Sequence, residues 1–159
     1  MTRKSTLPVV LVVGLLGCTS EPPSTSPPTS TAVEAPSFEG ALTATPRFDA
    51  GWVVVDLQLR PGFHVYTTGE TTGRPIRLEL DVHTDWTSDG EAVYPEGKRK
   101  KTALGESVVV EGSAEARLKI RATSKGPGEA RGVFHYQVCT DHACDRPRKL
   151  QFAVGPPPT

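Results

Sequence analysis

The sequence lacks any excess of charge, any long apolar run and any clear helical periodicity. Its 18 Lys and Arg residues balance 18 Asp and Glu residues, so the formal net charge is +0. A neutral chain has no bulk electrostatic attraction for nucleic acid, and we expect no nucleic-acid partner. The longest apolar run is Leu7–Leu16, whereas a helix needs roughly 20 apolar residues to cross a bilayer. No amphipathic stretch with a helical period is evident, which argues against a helical fold.

The N-terminus has the order of an exported, lipid-anchored protein. Arg3 and Lys4 precede the apolar run, which is followed by small Gly17 and then by Cys18. Positive, apolar and small residues in this order are typical of a secretory signal. The ending Leu-Leu-Gly-Cys resembles the bacterial lipobox, whose cysteine is lipidated and becomes the first mature residue.

We therefore predict a lipoprotein signal peptide over residues 1–18 and lipidation at Cys18. The alternative is an ordinary signal peptide with a chance cysteine. By resemblance to enterobacterial sorting, Thr19 favours the outer over the inner membrane. The expected location is the cell envelope, lipid-anchored and facing the periplasm.

Composition divides the rest of the chain into three parts. Residues 19–37 are rich in Pro, Ser and Thr and have almost nothing to bury, so they are predicted to be a tether. Residues 38–155 are long enough for one domain with its own core. Residues 156–159, Pro-Pro-Pro-Thr, are predicted to be a tail.

Apolar and polar residues alternate along several segments of this domain, as they do in half-buried antiparallel strands. Turn sequences containing Pro, Gly or Asp separate the segments. About seven or eight short strands in a domain of this length predict an all-β fold, an immunoglobulin-like β-sandwich. Trp52 and Trp86 are predicted to lie in its core. The segments are 41–45, 53–60, 76–82, 107–111, 116–122, 132–138 and 149–154.

The chain has 3 cysteines, so once Cys18 is assigned to the lipobox only Cys139 and Cys144 remain. Two thiols this close in an exported protein can form or exchange a disulfide if the chain turns between them. As a structural bridge the pair would contribute only about 2 kcal/mol, because the ring is short. This favours a functional role without establishing it. A structural disulfide, a redox pair and a metal site all remain open from the spacing alone.

The metal alternative has four possible ligands close together in the sequence, namely His135, Cys139, His142 and Cys144. Soft sulfur and nitrogen ligands suit copper or zinc. The spacing is not a common zinc pattern. The main expectation is therefore a site without metal or cofactor.

The segment Tyr136–Cys144, followed by Pro147, resembles the N-terminal periplasmic domain of the thiol:disulfide interchange protein DsbD. That family carries a Tyr-Gln-x-Cys-x4-Cys signature near the end of an immunoglobulin-like domain. The segments Pro61–Tyr66, Gly73–Ile76 and Tyr94-Pro95 resemble further parts of it. The resemblance implies thiol–disulfide oxidoreductase activity, in which the domain accepts electrons from a membrane partner and passes them to oxidised periplasmic proteins. It thus implies thioredoxin-like or membrane thiol–disulfide proteins as partners.

Carried over to this chain, the resemblance makes Cys139 and Cys144 the redox pair, and Cys144 the sulfur that forms the mixed disulfide with a partner. It places His64 and Tyr66 beside Cys144, on a facing strand. His142 also lines the site, since it lies between the cysteines. Its positive form would favour a thiolate, whereas the neighbouring carboxylates oppose one. The sequence leaves open which influence prevails.

The chain departs from the family pattern between Tyr94 and Ser107, which corresponds to the family's flexible cap over the disulfide. The basic run Lys98–Lys101 replaces acidic and aromatic cap residues, and no Phe or Tyr lies between Pro95 and Ser107. We predict a solvated loop here; alternatively, the run docks an acidic partner or lowers the pKa of a thiol. The family's membrane and thioredoxin-like domains are missing from the sequence. We therefore expect the electrons to come from another protein.

Overall fold

The computed structural model describes residues 37–68, 73–82, 85–103, 105–124 and 127–156. Within these ranges the protein is built of β-strands and contains no helix. No helix that could cross a membrane is therefore found in the described part of the chain. The strands are β1 (Leu42–Asp49), β2 (Trp52–Leu59), β3 (His64–Tyr66), β4 (Arg77–Leu80), β5 (Trp86–Ser88), β6 (Lys98–Thr102), β7 (Gly105–Val110), β8 (Ser113–Ala122), β9 (Ala130–Tyr136), β10 (Val138–Cys139) and β11 (Arg148–Val154).

Three antiparallel sheets surround one main core. Their strand orders are β1-β2-β8-β5, β11-β9-β4 and β10-β3-β7-β6. Buried side chains from all three sheets form a single cluster, with Leu57 and Ile120 from the first, Phe134 from the second, and Val65 and Val110 from the third. Burying apolar surface from several sheets in one core is the arrangement of a β-sandwich. The predicted all-β, immunoglobulin-like fold is thus confirmed.

Three of the regularly alternating segments, 53–60, 116–122 and 149–154, correspond to the long strands β2, β8 and β11. In β2, Val53, Val55 and Leu57 are fully buried in the core, and they pair with Leu118, Ala116 and Ala114 of β8 respectively. Period-two alternation turns every second side chain to the same face, so one apolar face specifies the register. All seven predicted segments overlap a strand of the structure.

The basic run was interpreted wrongly as a loop. Lys98–Thr102 form β6, an edge strand paired with β7 in the register Lys98↔Val109 to Thr102↔Gly105. The prediction of a solvated segment was nevertheless right, since Lys98, Arg99 and Lys101 are exposed. Edge strands commonly carry charged residues, especially lysine, which hides the apolar alternation that marks an inner strand.

The two tryptophans differ in position. Trp86 is buried, and its Nε1 donates a hydrogen bond to the Gly128 carbonyl at 2.8 Å. Trp52 is only half-buried and lies outside the core, with the Arg117 guanidinium 4.9 Å from its ring centroid. The prediction of a core residue was therefore wrong for Trp52. It precedes the core residue Val53 by one position and so points to the opposite face of β2.

The predicted signal peptide, the lipidation site at Cys18 and the tether up to residue 36 lie outside the described residues, as do residues 157–159 of the predicted tail. The predicted lipid anchor and these boundaries therefore stay predictions. The described domain begins at residue 37 and its last strand, β11, ends at Val154.

Candidate functional site

The cysteines lie in the connection between β9 and β11, which folds into a tight hairpin. Thr140 closes its turn, because its backbone N–H donates to the Ala143 carbonyl at 2.7 Å. The Thr140 hydroxyl oxygen also accepts from the backbone N–H groups of His142 at 3.3 Å and Ala143 at 3.1 Å. Short polar side chains commonly stabilise turns in this way. The turn brings Cys139 and Cys144 opposite each other as an antiparallel pair, with Cα atoms 4.0 Å apart and a disulfide bond between them.

The two cysteines differ in their access to solvent. Cys139 belongs to β10 and is 0% exposed, whereas Cys144 is only partly buried. A reagent or a partner thiolate can approach Cys144 more readily than Cys139. This difference gives the disulfide an outer and an inner sulfur.

Strand β3 supports the disulfide from the neighbouring position in the sheet. It pairs with β10 so that His64 lies opposite Cys139 and Val65 lies opposite Val138. Val65 and Val138 point into the main core, whereas Tyr66 packs with Cys139 in a second, smaller cluster on the other face. The period of two along His64-Val65-Tyr66 thus separates the site from the core.

His64 and Tyr66 are both fully buried on this site face, and their rings meet edge to face with centroids 5.6 Å apart. The Tyr66 hydroxyl lies 3.9 Å from the Cys144 Sγ. Gly73 packs against the Tyr66 ring so closely that a Cβ at this position would collide with it. The Arg60–Phe63 turn, in which Gly62 has a φ of 84° and the Phe63 N–H donates to the Arg60 carbonyl at 3.1 Å, precedes and directs this strand.

A cluster of charges lies at the edge of the disulfide hairpin. Lys100 Nζ of β6 lies 2.6 Å from Glu111 Oε1 and 2.8 Å from Asp141 Oδ1. Asp141 Oδ1 in turn lies 3.9 Å from His64 Nδ1. The cluster therefore links β6, the end of β7, the cysteine hairpin and β3.

These contacts shift three pKa values. The pKa of His64 is lowered, first by burial and then by the positive charge of Lys100, and the carboxylates of Asp141 and Glu111 only partly oppose this. The ammonium of Lys100 holds the pKa of Asp141 below its ordinary value, chiefly through their hydrogen bond. Asp141 and then Glu111 raise the pKa of Lys100. At neutral pH the site thus combines a neutral imidazole with a charged Lys100–Asp141 pair.

The hairpin of β6 and β7 contacts the cysteine loop where the resemblance predicted a cap. Besides the Lys100–Asp141 ion pair, the Ala103 N–H donates to the Asp141 carbonyl at 3.0 Å. Polar contacts thus link this hairpin to the cysteine loop, in the segment where the sequence lacks the family's aromatic cap residues. Lys100 and Glu111 could not be identified from the sequence as partners of Asp141, because only strand pairing brings them together.

The other predicted site residues do not come together. His142 is exposed at the tip of the hairpin. His135 lies on β9 and pairs with Glu79 of β4, with 3.0 Å between His135 Nε2 and Glu79 Oε2. In the ranges that the structure describes, no three His, Cys, Asp or Glu side chains are close enough to hold a metal ion. The four possible metal ligands are therefore not assembled into one site, and Cys139 and Cys144 are bonded to each other.

Comparison with known families identifies the chain. The model of the family "Thiol:disulfide interchange protein DsbD, N-terminal" matches residues 33–156, so the chain belongs to the DsbD N-terminal family. No curated protein sequence matches the chain significantly.

Solved structures of similar fold include two from Neisseria meningitidis. The reduced DsbD N-terminal domain of Neisseria meningitidis is 18% identical, with a TM-score of 0.57 over 74% of this chain and 87% of that chain. A complex between the DsbD N-terminal and PilB N-terminal domains of the same organism contains a chain that is 16% identical, with a TM-score of 0.55 over 77% of this chain and 87% of that chain. At these identities the likeness shows the fold alone.

Proposed function

We propose that this member of the DsbD N-terminal family is a lipid-anchored, periplasm-facing thiol–disulfide exchange module that relays electrons through Cys139 and Cys144. The observation that carries the proposal is the asymmetry of the disulfide. Cys139 is fully buried next to β3, whereas Cys144 is partly accessible and has the Tyr66 hydroxyl 3.9 Å from its sulfur. Exchange depends on which sulfur a partner thiolate can reach, and here that sulfur is Cys144.

The exchange proceeds in two steps. A thiolate of a reduced partner attacks the Cys144 Sγ, the bond between Cys139 and Cys144 breaks, and Cys139 leaves with the electron pair. A second partner thiol then attacks the mixed disulfide and releases Cys144 as a thiolate. The domain gains two electrons and two protons, and the partner is left with a disulfide. Reversing these steps reduces the disulfide of a downstream protein.

Thioredoxin-like or membrane thiol–disulfide proteins are the proposed partners. Family membership supports a role in thiol–disulfide interchange. The Neisseria complex supports docking to another protein domain, since the DsbD N-terminal domain there is bound to the PilB N-terminal domain. The lipid anchor rests on the sequence around Cys18, because those residues lie outside the described ranges.

Trapping a mixed disulfide in the native host tests the exchange. In Cys139→Ala the partner stays bonded to Cys144, because no resolving thiol remains, and the complex survives non-reducing electrophoresis. Cys144→Ala serves as the matched control and should trap far less, because its remaining thiol is buried. Equal trapping by both variants, or none by either, would contradict the proposed order of attack.

The reduction potential separates this function from that of an interaction module with an inert disulfide. Structural disulfides lie below roughly −300 mV, whereas exchange-active ones lie higher. We expect a potential above that value, measured by equilibration with thioredoxin or glutathione. A bridge that native thioredoxin cannot reduce would favour the structural alternative.

Mass spectrometry of the membrane-extracted protein tests the anchor. The wild type should carry acyl groups on Cys18 as its first residue. Cys18→Ala should be released from the membrane or remain unprocessed. Normal membrane retention of that variant, without an acyl group, would exclude lipidation.

A further inference from the structure

His64 is a buried polar side chain on the face of β3 that carries the site. It is 0% exposed, and neither ring nitrogen has a hydrogen-bond partner among the described residues. Buried polar groups in folded proteins are nearly always paired, since an unpaired one destabilises the fold. A histidine kept in this condition beside a disulfide calls for a functional explanation.

We propose that His64 accepts the proton of the Cys139 thiol when Cys139 resolves the mixed disulfide, and returns it in the reverse step. This inference rests on the proposed function, because it concerns a step of the same exchange. It extends that function by giving the inner cysteine a specific proton acceptor.

The inner sulfur needs such a neighbour because water does not reach it. Exchange requires the thiolate of the attacking cysteine, and a charge buried without a partner is strongly unfavourable. Cys139 is 0% exposed. A proton that leaves its sulfur must therefore pass first to a protein group on the same buried face.

The sheet register makes His64 that group. His64 and Cys139 are directly opposite residues of an antiparallel pair, and such residues have Cβ atoms about 4.5–5.5 Å apart on the same face. Asp141 Oδ1 lies 3.9 Å from His64 Nδ1. A carboxylate on that side stabilises the imidazolium that forms.

The polar atoms of the other titratable side chains near His64 contact groups other than Cys139. Tyr66 lies on the same strand, but its hydroxyl is next to Cys144, at 3.9 Å from the sulfur. Lys100, from β6, is held between Glu111 and Asp141. The charge of His142 helps to lower the pKa of Asp141, after the larger effect of Lys100. Since burial and Lys100 lower the pKa of His64, its imidazole is neutral at neutral pH and is ready to accept a proton.

The resolving step moves one proton and one electron pair away from the Cys139 sulfur. The Cys139 thiol gives its proton to His64, and its electron pair forms the bond from Cys139 Sγ to Cys144 Sγ. The bond between Cys144 Sγ and the partner sulfur breaks, and the partner leaves as a thiolate that takes a proton from water. The domain's dithiol is oxidised to the disulfide and the partner's disulfide is reduced. The imidazolium of His64 then releases its proton to solvent.

A two-phase exchange experiment tests the inference. The reduced, purified chain is mixed in a stopped-flow instrument with dithiobis-nitrobenzoate, an aromatic disulfide that releases a coloured thiolate. The first phase reports attack by Cys144, and the second reports resolution by Cys139. In the wild type, the second-phase rate should rise with pH to a plateau, with a midpoint below pH 6.5.

His64→Gln should slow the second phase by about 10²-fold, the lower range for loss of a general base. It should also replace the plateau with a continuing rise, and leave the first phase unchanged. The matched control is His135→Gln, which alters a histidine paired with Glu79 on β9 and should behave as the wild type. Asp141→Asn should slow the second phase less than His64→Gln does. If His64→Gln does not fold, Asp141→Asn serves as the test of whether His64 accepts the proton.

The outcomes distinguish the two proposals. If the wild type shows no first phase, the proposed exchange function is wrong. If the first phase occurs but the second keeps its rate and pH profile in both His64→Gln and Asp141→Asn, the exchange function stands and the role of His64 is wrong.

Discussion

The β1-β2-β8-β5 sheet and the β10-β3-β7-β6 sheet bury different kinds of side chain. The buried residues of β2 and β8 are all apolar. In the other sheet, His64, Thr102 and Ser107 are buried, and Thr67 is buried immediately after β3. These are the four buried polar residues of the described ranges. In the described ranges the first sheet thus buries only apolar side chains, whereas the sheet that carries Cys139 also buries polar ones.

These buried polar side chains also differ in their hydrogen bonds. The Thr67 hydroxyl donates to the Pro95 carbonyl at 2.8 Å, and the Thr102 hydroxyl donates to the Gly105 carbonyl at 3.2 Å. His64 has no such bond among the described residues. In the β10-β3-β7-β6 sheet, here called the site sheet, Thr102 and the adjoining Thr67 are therefore hydrogen-bonded, whereas His64, for which we propose a chemical role, is not.

The ion pairs near the two sheets also connect different parts of the molecule. Arg47 joins Asp49, Asp56 and Glu115 on the outer surface of the first sheet, at 2.9, 2.8 and 3.6 Å. Lys100 instead joins Glu111, the residue after β7, to Asp141 in the cysteine hairpin. The first network connects neighbouring strands, whereas the second connects the edge strand β6 to the cysteine hairpin.

Truncating the apolar sheet should have the largest effect on stability. Leu57→Ala removes a fully buried side chain and should reduce the free energy of unfolding by about 2–5 kcal/mol. Urea unfolding measures this loss, and exchange by the folded variant should be unchanged. Gln58→Ala, exposed on the same strand, should stay within about 0.5 kcal/mol of the wild type. If Leu57→Ala kept normal stability but exchanged slowly, stability and exchange could not be assigned to different sheets.

Removing the disulfide should have a smaller effect on stability and abolish exchange. The double variant Cys139→Ala/Cys144→Ala should lose about 2 kcal/mol, because the ring is short. Far-UV circular dichroism should still show a β-fold. If the double variant is unfolded, the bridge is structural and the site sheet depends on it.

Buried His64 should make stability depend on pH. Its pKa is lowered from 6.5 in the folded chain, first by burial and then by Lys100, so the unfolded chain binds the proton more tightly. This contribution to stability is therefore fully present above about pH 6.5 and is lost as the pH falls towards the lowered pKa. Urea unfolding at a series of pH values should show the decline in the wild type and in His135→Gln. His64→Gln should flatten it, and an undiminished slope in that variant would assign the pH dependence to another group.

The Lys100 pair should contribute least. Lys100→Met removes the contacts with Glu111 and Asp141 and should reduce stability by about 0.2–1 kcal/mol, as for partly exposed ion pairs. High salt should diminish the difference, because it screens the charges. Lys98→Met changes an exposed lysine on the same strand and should have no measurable effect. Equal losses in both variants would show that Lys100 acts through strand packing rather than through its charge.

Much of the fold could be predicted because it depends on alternation. The segments later found as β2, β8 and β11 alternate regularly, and their apolar faces point to the core. The shorter strands β3 and β5 have only three residues each, too few for a period to be recognised. Strand β6 was missed because an edge strand rich in lysine has no apolar face.

The site could be predicted only in part. The spacing of Cys139 and Cys144 and the polar residues between them indicated a turn that can close a disulfide, and the turn and the bond are present. Family resemblance indicated His64 and Tyr66 as neighbours. Neither source of information indicated that His64 would be fully buried.

By itself, the sequence determined the β-rich character, the strand faces and the pair of cysteines, since each follows from residues close together in the chain. Only the tertiary structure decided which sulfur is buried and which charges surround it. Lys100, Asp141 and His64 meet because three strands and a hairpin pair in one register. Such long-range pairing is set by the packing of the whole core, and no local pattern records it.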